Sequence, residues 1–200
     1  MAIAALDDLV RALGRLPGLG RRSAERAALA LVRRPDDLLD DLARALKQAR
    51  EEVDCCRLCS GFTTRVQNPC CLCTDATRDS ASICVVEEPS DIMAMERSGG
   101  FNGRYHALLG KLSPAKQTGP RELRIQELLD RVGSEKIKEV ILALSTDIEG
   151  DTTAHFITEM LQPLGVRVTR LAFGLPAGSG IGYSDPLTLK RAIGGRTNME

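Results

Sequence analysis

The chain has 200 residues, 43% hydrophobic and 27% charged, with 27 basic side chains balancing 27 acidic ones to a formal net charge of +0. That is material for one sizeable core or two modest ones, and it excludes a uniformly basic protein that coats nucleic acid by charge alone. No apolar run approaches the roughly 18 residues of a membrane helix, and Asp7 and Asp8 stand where an export signal would be basic, so a cytoplasmic protein with no membrane contact is expected.

Ile3, Leu6, Leu9, Val10 and Leu13 recur at helical spacing and predict a first helix, stopped by the turn Gly14 to Gly20. Ala24, Ala27, Ala28, Leu31 and Val32 predict a second, broken at Arg34-Pro35. Asp36 and Asp37 then supply the cap and first-turn acids of a third, carried by Leu38, Leu39, Leu42, Leu46, Ala49 and Val53. Residues 1–54 read as a small helical domain.

Within it the charge is uneven: from Arg11 to Arg34 seven arginines stand against one glutamate, Glu25, a net +6. Between the first two helices runs Leu16-Pro17-Gly18-Leu19-Gly20-Arg21-Arg22-Ser23-Ala24. Glycines at alternate positions permit a tight hairpin and leave backbone N–H groups open at a helix start, where the dipole favours a phosphate. Such a turn also serves as an ordinary helix stop; Arg21, Arg22 and Arg26 directly behind it turn the reading toward phosphate contact. Four phenylalanines, two tyrosines and no tryptophan leave little for base stacking, so phosphates should carry most of the affinity for any nucleic acid.

Residues 55–76 hold Cys56-x2-Cys59 and Cys70-x2-Cys73 with ten residues between the pairs. Two such knuckles supply the four thiolates of a closed tetrahedral site, so one structural Zn²⁺ per chain is expected, with no open position for catalysis. Seven cysteines, an odd number, in a chain without an export signal are expected to stay reduced. Cys71 cannot close a C-x2-C turn with Cys73, whereas Cys55 would make C-x3-C with Cys59; Cys55 and Cys56 are therefore alternatives at that corner, and Cys56 is preferred.

Short apolar runs then alternate with helical stretches: strands over Ser82 to Val86, Tyr105 to Leu109, Glu139 to Leu144 and Val166 to Ala172, and helices over Pro89 to Ser98, Arg121 to Val132 and Thr152 to Leu161. This βαβ rhythm predicts an α/β domain with a mainly parallel sheet, closed by the loop Gly174 to Gly182 and a helix from Pro186 to Ile193. Glu87 follows the first strand, and Asp147, Glu149 and Asp151 follow the third, so both acidic groups should emerge at strand C-terminal ends. Acids at helix starts also serve plainly as caps. His106 and His155 have no partner at ligand spacing and read as structural.

The hydrophobic-Gly-hydrophobic-Gly hairpin resembles a helix-hairpin-helix, a DNA-binding motif without sequence specificity. Followed by a C4 zinc knuckle and a βαβ domain, the order is similar to that of the RecR family of bacterial recombination mediators. Ile83-Cys84-Val85-Val86-Glu87-Glu88-Pro89-Ser90-Asp91 resembles the opening of that family's Toprim domain. Gly103-Arg104-Tyr105-His106 and Gly110-Lys111-Leu112-Ser113-Pro114 resemble its middle, and Glu139 to Ala143 with Glu149-Gly150-Asp151-Thr152-Thr153-Ala154 its later strand and turn.

The resemblance implies a helix-hairpin-helix domain over 1–54, a zinc finger over 55–76, a Toprim domain over 80–176 and a C-terminal loop, helix and tail over 177–200. DNA would be held through Gly18, Gly20, Arg21, Arg22 and Arg26, single- and double-stranded alike. It further implies a non-enzymatic mediator that acts with RecO, and in some bacteria RecF, to load RecA at single-stranded gaps, as a homo-oligomer from dimer to clamp-like tetramer. Catalytic Toprim domains hold Mg²⁺ with a glutamate and a later Asp-x-Asp, here Glu87 and Asp147-Ile148-Glu149, with Asp151 beside them; RecR proteins more often have threonine at position 147. The alternative is thus a metal-dependent nuclease of the Toprim type. A topoisomerase is disfavoured, since the only tyrosines, Tyr105 and Tyr183, lie within or at the edge of the βαβ region. The loop Gly178 to Tyr183 departs from the family, which usually shows an acid near Gly182.

Overall fold

The computed structural model describes residues 3–33, 38–172, 174–175, 178 and 180–196. Arg34-Pro35, the Asp36-Asp37 cap and Ser179 of the final loop lie outside the described residues. The chain falls into two compact units, Met1–Val53 and Asp54–Glu200. Among the described residues no helix is long and apolar enough to cross a membrane.

The first unit contains α1 (Ala4–Leu13), α2 (Arg21–Arg33) and α3 (Leu38–Glu52). Its small core is made by Ala24, Ala28 and Leu31 of α2, which packs against both neighbours. Alanines let helix backbones approach closely but bury little area. α1 and α3 accordingly bury no side chain completely, and Leu38, Leu39, Leu42 and Leu46 of α3 remain exposed despite their helical spacing.

The second unit begins within a short hairpin, β1 (Val53–Cys55) with β2 (Phe62–Thr64), followed by a single turn of helix, α4 (Cys71–Thr74). Then come β3 (Asp79–Val86), α5 (Pro89–Ser98), β4 (Gly103–Ala107), α6 (Ile125–Ser134), β5 (Glu139–Ala143), α7 (Ile148–Leu161), β6 (Arg167–Arg170) and α8 (Pro186–Gly194). The four later strands form one parallel sheet in the order β4-β3-β5-β6. Ile83, Cys84, Val85 and Val86 of the inner strand β3 are all fully buried, because helices or knuckle cover both faces.

Each face has its own core. On one, Ile83, Val85, Val140 and Leu142 pack with Leu128 of α6 and Ile157 and Leu161 of α7. On the other, Cys84, Val86, Tyr105 and Ala107 pack with Ile92 of α5 and with Cys56, Cys59, Cys70 and Cys73. The cysteine knuckle is thus a covering layer of the sheet. It is pinned there by Ala107 N–H donating to Cys59 O at 2.8 Å and by the buried Arg131, which donates to Leu58 O at 3.3 Å and Tyr105 O at 2.9 Å.

Several boundaries differ from the sequence reading: β3 begins three residues early, at Asp79, and β6 is shorter at both ends, Arg167–Arg170. β4 ends two residues early because Leu109 turns left-handed (φ 63°). α6 begins at Ile125 rather than Arg121. α7 starts four residues early, at Ile148, since the Asp147 carboxylate caps it by accepting from Gly150 N–H at 2.7 Å.

Candidate functional site

In the hairpin, Gly18 has φ 80°, a left-handed conformation that a side chain would strain. Leu19 N–H closes on Leu16 O at 3.2 Å, and the helical ladder of α2 begins with Ala24 N–H to Gly20 O at 3.0 Å. The N–H groups ahead of Ala24 belong to the first turn of α2 and have no intrahelical acceptor. Arg21, Arg22 and Arg26 are exposed at that end of the helix. Arg21 also shares a cleft of about 650 Å³ with Arg11 and Arg15, where Asp7 is the acidic member. The surface can hold an anion by backbone N–H groups, helix dipole and guanidinium groups together.

The four sulfurs of Cys56, Cys59, Cys70 and Cys73 lie within 4.8 Å of one another, and all four residues are buried. Cys56 Sγ is 3.8 Å from Cys73 Sγ, and Cys59 Sγ 3.6 Å from Cys70 Sγ. Four thiolates around a tetrahedral zinc would stand about 3.8 Å apart, so the donor set fits a metal such as zinc. Gly61 N–H donates to Cys59 Sγ and Cys70 N–H to Cys56 Sγ, each at 3.3 Å, which stabilises thiolate charge. Hydrogen bonding to Cys70 and burial push the Cys59 thiol up to about 12. Contacts with Cys59 and Cys70 raise Cys73, whereas hydrogen bonds with Cys59 and Cys73 lower Cys70. Cys55 and Cys71 are exposed and outside the cluster. Cys84 is a core thiol held up at about 12 by burial alone.

The acidic centre forms where the strand order reverses. From β3 the chain passes by α5 to β4 on one side, and from β5 by α7 to β6 on the other, so the ends of β3 and β5 flank the switch point. Glu87 leaves β3 and its Oε1 accepts from Ser145 N–H at 2.7 Å. Asp147 and Glu149 enter from the β5 loop. Gly150, the next residue of α7, is required by close approach, since a side chain there would collide with the Ser145 carbonyl. Lys111, from the turn after β4, reaches into this group: its Nζ donates to Asp147 Oδ2 and to Ser145 Oγ, the latter at 3.1 Å. Glu87 and Glu149 lie 3.9 and 4.0 Å from the same Nζ. The hydrogen bond from Lys111 holds the Asp147 carboxyl down at about 2 and, reciprocally, raises the lysine.

Asp151 does not join this group. It pairs with Arg170 at 2.6 Å and with Arg191 of α8 at 2.9 Å, tying the C-terminal helix to the start of α7. His106 is buried in β4, where its Nε2–H donates to Arg124 O at 2.7 Å, and burial lowers it to about 4, so it stays neutral. His155 is exposed, 3.4 Å from Glu159 one turn on.

The comparisons with known proteins follow the same segmentation. Residues 6–50 match the RecR helix-hairpin-helix family, 81–172 the Toprim domain family, and 174–197 the RecR C-terminal family. The recombination protein RecR of Moorella thermoacetica is 47% identical over 195 residues, 98% of this chain and 97% of that protein. Those of Desulfatibacillum aliphaticivorans and Brucella canis are 45% and 47% identical over 191 and 194 residues, covering 96% and 97% of this chain and 95% and 96% of theirs. The chain belongs to the RecR recombination proteins.

For a RecR protein the fold is therefore as expected: N-terminal helices, a four-cysteine cluster, a parallel Toprim sheet and a C-terminal helix. Sequence reasoning missed Lys111, Ser113 and Ser145 as members of the acidic centre. Gly110-Lys111-Leu112-Ser113 was legible as a segment, but its approach to residues 36 positions away depends on the left-handed turn at Leu109. It also missed Arg170 and Arg191, the partners that draw Asp151 aside.

Proposed function

We propose that this chain is a cytoplasmic, non-enzymatic DNA-binding mediator of recombinational repair, whose hairpin grips phosphates of single- or double-stranded DNA through the backbone at Gly18 and Gly20 and through Arg21, Arg22 and Arg26. The observation that carries this reading is the left-handed Gly18 turn opening α2 with exposed arginines on its first turns. By family membership it acts with RecO, and with RecF where present, to load RecA at gaps. Zn²⁺ fills the cysteine cluster as a structural ion that keeps the knuckle on the sheet.

A net +6 in one hairpin is a small footprint, and repetition around a dimer or clamp-like tetramer raises avidity without new contacts. The exposed Leu38, Leu39, Leu42 and Leu46 face of α3 supports such self-association. Against Toprim-type phosphoryl transfer stands the placement of Lys111 among the acids. Of the two tyrosines, Tyr105 does not suit a nucleophile, being buried with its hydroxyl on Glu96 at 2.6 Å, whereas Tyr183 is exposed.

The test is DNA binding by Arg21→Glu with Arg22→Glu, measured by fluorescence anisotropy over a salt series. Binding should be abolished at moderate salt, and any residual slope of log affinity on log salt should fall by roughly two, while zinc content and folding stay intact. Unchanged binding and slope would remove the hairpin from the interface.

A further inference from the structure

Three carboxylates converging from two strand ends at a switch point form a set that a divalent cation would take. As arranged here, the set does not fit one. Each acid has one oxygen committed to a protein donor. Glu87 Oε1 accepts from Ser145 N–H at 2.7 Å, and Glu149 Oε1 accepts from the Ser113 hydroxyl. Asp147 Oδ1 accepts from Gly150 N–H at 2.7 Å and from the Ser145 hydroxyl at 3.0 Å.

The other three oxygens all face one atom, Lys111 Nζ. Asp147 Oδ2 accepts its hydrogen bond, while Glu87 Oε2 and Glu149 Oε2 stand at 3.9 and 4.0 Å. The ammonium therefore sits where the uncommitted lone pairs meet. Mg²⁺ needs near-octahedral oxygens at about 2.1 Å, and to gather these it would have to expel the lysine.

We infer that Lys111 is the resident cation of this centre: its ammonium occupies the space between Glu87, Asp147 and Glu149 and keeps divalent ions out. This rests on the non-enzymatic reading above and supplies a physical reason for it. The tether matters as much as the charge. A side chain anchored in the turn after β4 is present at an effective concentration that a free ion must overcome. Ser145 is the positioning residue: its N–H orients Glu87, and its hydroxyl accepts from Lys111 while donating to Asp147.

Mn²⁺ titration of the zinc-loaded full-length protein, with free ion counted by its paramagnetic resonance signal, tests this. The native protein should show no saturable site. Lys111→Met, which keeps the apolar stem and removes the charge, should gain one site at least about tenfold tighter than anything on the native chain. Adding Glu149→Gln should abolish it. Zinc content and circular dichroism establish that each variant is folded; should Lys111→Met not fold, Lys111→Met with Asp147→Asn relieves one negative charge and is read in the same way, against Glu87 and Glu149. A saturable Mn²⁺ site on the native protein overturns the inference whatever the variants do, and so does a folded variant lacking Lys111 that binds no ion. Labelled DNA incubated with the native protein and Mn²⁺ separates the two readings. Cleavage overturns the non-enzymatic reading; a native Mn²⁺ site without cleavage overturns only the role of Lys111.

Discussion

The four cysteines and the three acids each gather like-charged ligands beside the same sheet, yet they resolve the repulsion in opposite ways. The sulfurs are buried, lie 3.6 and 3.8 Å apart in two pairs, and receive backbone N–H groups, a donor set that a foreign cation such as zinc would complete. The carboxylates are partly solvated, with Asp147 53% exposed, and share an ammonium from their own chain. The difference teaches that ligand identity alone does not make a metal site. What decides is whether the fold has already delivered a cation to the point where the lone pairs converge.

The contrast is sharpest on removing one ligand from each centre. Cys73→Ser should release the zinc, and because apparent binding energies of structural zinc sites are about 10–16 kcal/mol, the second unit should lose its cooperative unfolding transition, as followed by thermal melting. The damage should reach the sheet, since the cysteines share a core with Val86, Ile92 and Tyr105.

At the acidic centre a milder, pH-bound effect is expected from Asp147→Asn, which keeps a competent helix cap but removes the charge. The folded Asp147 carboxyl sits at about 2, below its ordinary 3.8, so its contribution is complete above pH 3.8 and is lost as pH falls through about 2. Native and variant melting temperatures should differ at neutral pH and converge near pH 2; a constant gap would mean that the lysine pair contributes nothing. The smallest effect belongs to Cys71→Ser, exposed and outside the cluster, which should leave zinc content unchanged and stability within about 0.5 kcal/mol.

Much of this was legible in the sequence because the signals are local. Doubled C-x2-C places ligands by turn geometry, the alternate glycines followed by arginines mark a hairpin within a few residues, and the unbroken Ile83 to Val86 run announces a strand buried on both sides. What stayed hidden is long-range. Lys111 meets Asp147 across 36 positions, and Asp151 is drawn away by Arg170 and by Arg191, 40 positions on. No periodicity encodes those meetings; they follow from parallel strand order and from one left-handed residue, Leu109. The single-turn helix α4 and the β1–β2 hairpin were too short to read from periodicity.

The most direct test of the contrast is an elemental inventory of the native full-length protein after dialysis against excess Mg²⁺ and Mn²⁺, followed by rapid removal of free ions. One zinc per chain is expected, with neither magnesium nor manganese retained. Stoichiometric manganese beside the zinc, or a folded chain with no zinc, would contradict it.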